Sequence, residues 1–179
     1  MDFFTIVFKY GKFTMYCLLG PSKNILHLTF APEKHLSAQY QLCTISPGIS
    51  FAALKQEESQ LHKIFRDYFS GKLFSFPLKI DSPYISGGTA FQRKVWHHIS
   101  KIPYGKCITY RELAAEAGSP EGARAAGMAC GANPMALIIP CHRVVAANGL
   151  GGFAGGTAVK KALLDLECNG SELSEHSAC

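Results

Sequence analysis

The chain lacks features that would place it in a membrane or on a secretion route. No run of apolar residues approaches the roughly 20 that a membrane-spanning helix needs. The amino terminus has a short aromatic stretch, but Lys9 and Lys12 interrupt it, and neither a basic segment nor a small-residue cleavage site accompanies it. We therefore expect a soluble, intracellular protein with no membrane partner.

The chain also lacks a cysteine framework. Its seven cysteines are an odd number at irregular spacing, without a Cys-x-x-Cys pair. This pattern excludes a secreted disulfide scaffold and does not match a zinc knuckle, so we expect a reducing compartment. His27 and Cys17 could be metal ligands, but a strand histidine and a buried cysteine need no metal. We expect no metal and no cofactor.

Charge is scarce and unevenly distributed. Only 17% of residues are charged and 47% are hydrophobic, which is typical of a globular protein. The formal net charge of +5 is concentrated in residues 89–161, with nine Lys or Arg and three Glu, whereas residues 162–179 hold four acids and no Lys or Arg. A basic segment before an acidic tail permits contact with a polyanion but argues for it only weakly.

The first half has alternating strand and helix patterns. β-branched and aromatic runs predict strands over residues 3–8, 12–19 and 25–30, separated by Gly and Pro turns. Residues 51–70 predict a helix that ends at Gly71, and residues 74–80 predict a further strand. The apolar stripe of the predicted helix is Leu61, Ile64, Phe65, Tyr68 and Phe69. This half has no catalytic constellation, so we interpret it as an α/β supporting domain.

A Pro- and Gly-containing segment, 81–88, predicts the boundary between two domains. We place the supporting domain at 1–85, a second domain at 86–170 and a flexible acidic tail at 171–179. Thr89 and Gln92 form a capping box for a helix over 90–101, which is followed by a strand over 106–109.

The middle of the second domain has the form of a helix-turn-helix. Thr109 and Glu112 predict a capping box for a helix over 110–117, which Gly118 closes. Ser119 and Pro120 are expected to start a second helix to about residue 130. A Gly-rich loop, 148–156, then precedes a final helix capped by Thr157. Its predicted inner residues are Val159, Ala162, Leu163 and Leu166.

The most reactive stretch is Pro140-Cys141-His142-Arg143, which lies between two apolar segments. The segment before it predicts a buried strand. A cysteine nucleophile needs a base or a positive field, and His142 is adjacent. Neighbours in an extended chain point to opposite faces, so we expect a water between Nε2 of His142 and the sulfur. Asp165 and Glu167 could each orient the imidazole, and their spacing does not choose between them.

The second helix of the predicted helix-turn-helix consists largely of Ala and Gly, with Arg124 as its single long basic residue. A helix that reads bases in the major groove carries several Arg, Asn or Gln side chains. A small-residue face would instead let the helix lie close in a narrow groove. Tight packing against a neighbouring helix also favours Ala and Gly, and the composition alone supports the two interpretations equally.

The Pro-Cys-His-Arg-Val stretch resembles the active-site signature of the O6-alkylguanine-DNA alkyltransferases, also called methylated-DNA–protein-cysteine methyltransferases. The resemblance covers Thr89 to Glu167. It implies an α/β amino-terminal domain followed by a mostly helical domain with a winged-helix-like helix-turn-helix. It further implies a monomer in the cytoplasm, or in the nucleus if eukaryotic, that binds the minor groove of double-stranded DNA and flips out the damaged base.

The activity that the resemblance implies is DNA repair by a single transfer. The alkyl group of O6-alkylguanine, and less readily of O4-alkylthymine, passes to Cys141 and inactivates the protein. The rival interpretations are a non-catalytic damage-binding protein, a helix-turn-helix transcription regulator and a Cys-His hydrolase. Retention of the cysteine argues against the first rival, and the shortage of base-reading side chains argues against the second.

The resemblance also assigns roles to individual residues. Cys141 is the alkyl acceptor, His142 the water-relayed base and Glu167 its carboxylate partner, while Tyr110 donates a proton to the guanine and Asn133 braces the turn. The implied DNA-binding residues are Arg124, which fills the space left by the base, with Tyr110, Ala123, Ala125, Ala126 and Gly127. The implied pocket residues are Met135, Val144, Phe153, Ala154, Gly155 and Gly156. Phe153 and Ala136 stand where some relatives have tyrosine and proline, which affects substrate range.

Overall fold

Three short strands near the start of the chain form an antiparallel sheet. The computed structural model describes residues 4–20, 25–30, 51–77 and 83–171. Strands β1 (Phe4–Tyr10), β2 (Phe13–Leu19) and β3 (Ile25–Thr29) pair in chain order. This confirms the predicted strands, with small shifts at their ends. In β2, alternate residues such as Met15 and Cys17 are buried, as a sheet with one face on the core requires.

Helix α1 (Phe51–Phe69) packs on this sheet through aromatic side chains. The rings of Phe65 and Phe8 meet edge to face at 5.0 Å. The strand predicted over 74–80 is wrong for residues 74–77, which form no strand, and residues 78–80 lie outside the described part of the chain. The aromatic residues that suggested a strand make ring contacts instead: Phe74 packs on Tyr104, and Phe76 packs on Phe65 and Tyr68.

The second half begins with a short helix, α2 (Pro83–Ser86), and helix α3 (Ala90–Ile99). Thr89 and Gln92 form the predicted capping box at the start of α3. Trp96 is buried on the inner face of α3, and its indole N–H donates to the carbonyl of Ala129 at 2.8 Å. That bond fixes α3 against the helix that contains Ala129.

The helix-turn-helix is present, but its second helix starts later than predicted. Helix α4 (Tyr110–Glu116) has the expected capping box at Thr109. Helix α5 (Ala123–Gly131) has Gly122, not Ser119, as its N-cap residue, and no side chain caps it. The reason is a turn in which the N–H of Gly122 donates to the carbonyl of Ser119 at 2.7 Å. Ser119 and Pro120 therefore form the turn instead of opening the helix.

Two short parallel strands bring the helix-turn-helix to the Cys141 segment. Strand β4 (Ile108–Thr109) pairs with β5 (Val144–Val145), between α4 on one side and the 3-10 turn Cys141–Arg143 on the other. The strand predicted before Pro140 is wrong, because only isolated bridges occur there.

The last described helix, α6 (Thr157–Ser171), covers the Cys141 segment. The amide of Lys160 bonds the carbonyl of Gly156, so Gly156 takes the capping position predicted for Thr157. Ala162 and Leu163 are buried as predicted.

The larger of the hydrophobic clusters in the described part of the chain extends through both halves, from Phe8 in β1 to Leu163 in α6. The division into domains 1–85 and 86–170, with a tail at 171–179, stays a prediction. Within the described ranges, no helix is long and apolar enough to cross a membrane.

A pair of alanine substitutions tests which face of α5 packs inward. Ala126 is fully buried and Ala125 is exposed. Ala126→Leu should overpack the core and lower the free energy of unfolding by about 1–3 kcal/mol, which is about 2–4 °C in Tm per kcal/mol for a protein of this size. Ala125→Leu is the matched control and should leave Tm nearly unchanged. Thermal unfolding measures both, and equal Tm shifts would contradict the assigned faces.

Candidate active site

A tight turn presents Cys141 at the end of the segment that precedes it. The N–H of Cys141 donates to the carbonyl of Ile139 at 2.8 Å, and Pro140 between them has φ −80° and ψ 65°. These values define an inverse γ-turn, and proline fixes the φ that it needs. The chain then continues as the 3-10 turn Cys141–Arg143. The prediction of an extended chain here is wrong, because successive side chains of a 3-10 turn diverge by about 120°.

Asn133 holds this turn together and also contacts the sulfur. Its Nδ2 donates to the carbonyl of Ile139 at 2.7 Å and lies 3.1 Å from Sγ of Cys141, and its Oδ1 accepts the N–H of Met135 at 3.0 Å. The first half of the chain supports the same turn from outside. The backbone of Leu28, in β3, bonds Pro134 and Ala136, each at 2.8 Å.

His142 and Glu167 form a buried pair behind the cysteine. Nε2 of His142 lies 2.8 Å from Oε1 of Glu167, and both residues have no exposed surface. Nδ1 of His142 is buried without a hydrogen-bond partner in the described part of the chain. The expectation that Nε2 faces the sulfur is therefore wrong, because Nε2 is committed to the carboxylate. Burial lowers the pKa of His142, against the raising effect of Glu167, so the imidazole rests neutral.

Glu167 also binds three other residues, Arg143, Tyr68 and Gly105. Arg143 donates from Nε to Oε2 at 2.8 Å and from Nη2 to Oε1 at 2.9 Å. The hydroxyl of Tyr68 donates to Oε1 at 2.6 Å, and the N–H of Gly105 donates to Oε2 at 3.0 Å. Burial alone would raise the pKa of Glu167, but the hydrogen bonds and charges of His142 and Arg143 outweigh it and hold that pKa well below its ordinary value. Asp165 is exposed and pairs with Lys161 instead.

Cys141 rests as a thiol. Burial raises its pKa, and the hydrogen bond from Asn133 and the charge of Lys160 offset this only in part. A buried thiol beside a neutral imidazole is less reactive than a preformed ion pair, and it becomes a nucleophile only as its proton leaves.

Lys160 is a fully buried amine that connects the segments around the cysteine. Its Nζ donates to the carbonyl of Val144 at 2.6 Å and to that of Gly152 at 3.1 Å, and it lies 3.5 Å from the hydroxyl of Tyr110. Tyr110 also donates to Gly152 at 3.2 Å. Burial is the main reason that the pKa of Tyr110 rises to about 12, so this phenol keeps its proton at neutral pH. Gly151, with φ +69°, approaches the Tyr110 ring so closely that a Cβ there would clash.

Three site residues, Tyr68, Arg143 and Lys160, have no role predicted from the sequence. Tyr68 fits the apolar stripe of its helix, although a buried tyrosine needs a partner for its hydroxyl. Arg143 stands in the reactive stretch, but the pattern does not indicate its partner. Lys160 precedes Leu163 and Glu167 by three and seven residues, so it lies on the buried face of α6. A lysine at that spacing was the signal that could have found it.

A cleft of about 630 Å³ opens beside Cys141. Of the predicted DNA-binding and pocket residues, those that line it are Tyr110, Ala123, Arg124, Gly127, Phe153 and Ala154. Ala125 is exposed but lies off the cleft. Ala126, predicted to contact DNA, is buried in the core, because its position on α5 faces the neighbouring helices.

The remaining predicted pocket residues do not line the cleft. Met135 and Val144 are core residues, since the bond of Met135 to Asn133 and the pairing of β5 hold them inward. Gly155 and Gly156 shape the loop behind Phe153: a Cβ on Gly155 would meet Phe30, and Gly156 has φ +90°. Across the described residues, no group of three His, Cys, Asp or Glu side chains could hold a metal ion.

A cysteine backed by a buried His–Glu pair, at a cleft edged by a helix-turn-helix, defines a DNA-binding protein with a cysteine nucleophile. Residues 90–169 match the family model described as 6-O-methylguanine DNA methyltransferase, DNA binding domain. A methylated-DNA–protein-cysteine methyltransferase of Methanosarcina barkeri is 50% identical over 153 residues, which are 85% of this chain and 89% of that protein. The chain belongs to the methylated-DNA–protein-cysteine methyltransferase family.

Solved structures are similar across nearly the whole chain. The crystal structure of Mycobacterium tuberculosis O6-methylguanine methyltransferase is 33% identical with a TM-score of 0.74, and the match covers 92% of each chain. The crystal structure of the M. tuberculosis OGT protein in complex with DNA has a TM-score of 0.73 at 33% identity, covering 95% of this chain and 94% of that one. The similarity includes the α/β first half, so the predicted fold class is confirmed.

The buried carboxylate predicts a specific dependence of stability on pH. Because the folded pKa of Glu167 lies below its unfolded value, its stabilising effect is complete above the unfolded pKa of about 4.3 and is lost as the pH falls toward the folded pKa. Glu167→Gln should therefore lower the free energy of unfolding by about 3–5 kcal/mol near neutral pH, by leaving Arg143 without its partner. The gap between variant and wild type should narrow in acid.

Urea unfolding at several pH values measures this gap. Asp165→Asn is the matched control, because Asp165 is exposed on the same helix, and it should change stability little at any pH. A gap for Glu167→Gln that stayed constant from neutral pH into the acid range would mean that Glu167 is not an ionised partner of Arg143.

Proposed function

We propose that this protein repairs DNA by transferring an alkyl group from O6 of guanine, and less readily from O4 of thymine, to Sγ of Cys141. The observation that supports this best is the position of Cys141, at the cleft that α5 borders and in front of the His142–Glu167 pair. Family membership supports the same activity. We interpret the active site as a one-step transfer device that uses no cofactor.

The transfer couples loss of the thiol proton to attack on the alkyl carbon. A water held at Nδ1 of His142 passes the proton from Cys141 to the imidazole, since this nitrogen is buried and has no hydrogen-bond partner among the described residues. Glu167 then stabilises the imidazolium at Nε2. The new S–C bond forms as the bond between carbon and O6 breaks, and the guanine leaves with the bonding electrons.

Tyr110 supplies the proton that the leaving guanine needs. Tyr110 lines the cleft, and its hydroxyl stays protonated at neutral pH, because burial raises its pKa to about 12. The charge of Lys160, 3.5 Å away, favours the phenolate that remains. The product on Cys141 is a thioether, which water does not hydrolyse, so each molecule acts once.

We further propose that the protein binds duplex DNA as a monomer. Helix α5 enters the minor groove, and the target base is flipped into the cleft. Arg124 is exposed at the edge of the cleft, where its guanidinium can fill the space that the base leaves. Among the described residues that line the cleft none is acidic, which suits a polyanion. Such a protein acts wherever the DNA is, in the cytoplasm or in the nucleus of a eukaryote.

Incubation with duplex DNA that contains O6-methylguanine tests the activity directly. Intact-protein mass should rise by one methyl group per molecule and no more, and peptide mapping should place it on Cys141 alone. Cys130, which lines the same cleft, is the internal control, because burial raises the pKa of its thiol well above the ordinary value and it lies outside the turn that contains His142. A methyl group on Cys130, or release of more product than protein, would contradict the proposal.

Arg124→Ala separates extraction of the base from reaction with it. Unpairing and unstacking cost a few kcal/mol, and without the guanidinium this cost is not offset. The variant should lose most of its rate on O6-methylguanine duplex but little of its rate on the free O6-methylguanine base, with both rates measured from the mass of the protein. Arg66→Ala, on the exposed face of α1, is the control and should change neither rate. Equal losses on both substrates by a folded Arg124→Ala would refute the extraction role.

A further inference from the structure

The exposed face of α5 has one large apolar side chain, Met128. Its side chain is 71% exposed, whereas Ala126 and Ala129 on the inner face are buried. Among the described residues, the other exposed large apolar side chains are Val7 and Phe74, each at 43%. Single exposed apolar residues are common on protein surfaces, so exposure alone assigns no function. The position of Met128 on α5, in contrast, indicates a function.

Met128 lies beside Arg124 at the mouth of the cleft. The two residues are four apart on α5 and therefore on the same face of the helix. Both line the cleft that also contains Cys141. The Ala and Gly residues around Met128 are short, so its thioether is the side chain that projects furthest beside Arg124. A helix that approached DNA with Arg124 would bring Met128 into the same groove.

We propose that Met128 is an apolar DNA contact that packs into the minor groove next to the gap filled by Arg124. This inference rests on the proposed function. Four residues of helix span about 6 Å along the axis, and base steps are about 3.4 Å apart. Met128 can therefore contact a base step close to the one where Arg124 fills the gap.

The chemistry of methionine suits that place. Proteins that bend DNA from the minor groove insert apolar side chains, including methionine, between base steps. The unbranched thioether adapts to an irregular surface and is polarisable, so it packs well against sugars and partly unstacked bases. The positive Arg124, and a cleft lining that holds no acidic side chain in the described part of the chain, favour DNA over an apolar protein partner.

Substitution of Met128 tests the contact through its apolar character. Met128→Ala should weaken binding to O6-methylguanine duplex about tenfold, because apolar surface is no longer buried. Met128→Leu should restore most of the affinity, and Met128→Gln, similar in length but polar, should not. The salt dependence of binding should keep its slope in all three variants, since no phosphate contact is lost. Val7→Ala, an exposed apolar residue on β1, is the control.

Rates on two substrates and the oligomeric state complete the test. The rate of Met128→Ala should fall several-fold more on duplex than on the free O6-methylguanine base. Wild-type affinity or tighter binding in Met128→Ala would overturn the inference, because the methionine would then contribute nothing or hold the helix off the groove. A wild-type dimer that Met128→Ala converts to a monomer without loss of affinity would also overturn it. Failure of the wild type to accept a methyl group from duplex would instead refute the proposed function.

Discussion

The buried carboxylate of Glu167 is the interaction on which the active site depends. An ionised group without exposed surface is stable only if hydrogen bonds and opposite charge replace its water. Here the replacement comes from four residues in three separate segments: Tyr68 of α1, Gly105 before β4, and His142 and Arg143 of the 3-10 turn, all meeting a residue of α6. Since each segment must be in place to satisfy Glu167, the carboxylate ties the position of the cysteine turn to the packing of both halves of the chain. The first half thus does more than support the second.

The charges around Glu167 explain why the site rests in a neutral state. Arg143 neutralises the carboxylate at rest, and it disfavours a second positive charge on His142, whose pKa is already lowered by burial. The thiol of Cys141 likewise keeps its proton, because burial raises its pKa. A resting thiolate would react with any electrophile that entered the cleft, and a protein that acts once would be lost to that reaction. A neutral pair that ionises only when an alkyl carbon lies beside the sulfur avoids this loss.

Some elements around the active site could be predicted from the sequence and others could not, for physical reasons. Local signals worked where a side chain bonds its own neighbourhood, as in the capping boxes at Thr89 and Thr109. These signals failed at Ser119 and Pro140, where a backbone hydrogen bond forms a turn in place of the predicted helix start or strand. Composition does not show which carbonyl an amide will meet. The choice of Glu167 over Asp165 came from the family resemblance, and the structure agrees with it: Glu167 lies on the buried face of α6, whereas Asp165 is exposed. Tyr68 was out of reach of any local pattern, since it lies 99 residues from its partner.

Helix α5 shows how one composition can satisfy two different surfaces. The sequence left open whether its Ala and Gly residues face a groove or a neighbouring helix, and the structure places them on both sides: Ala126 and Ala129 are buried, while Gly127 and Gly131 line the cleft. Small inner residues let α5 sit close to α3, where the indole of Trp96 reaches the carbonyl of Ala129. That close packing fixes the position of the outer face of α5 beside the cleft. The long side chains on this face, Arg124 and Met128, therefore lie at the cleft on a helix that is anchored to the core.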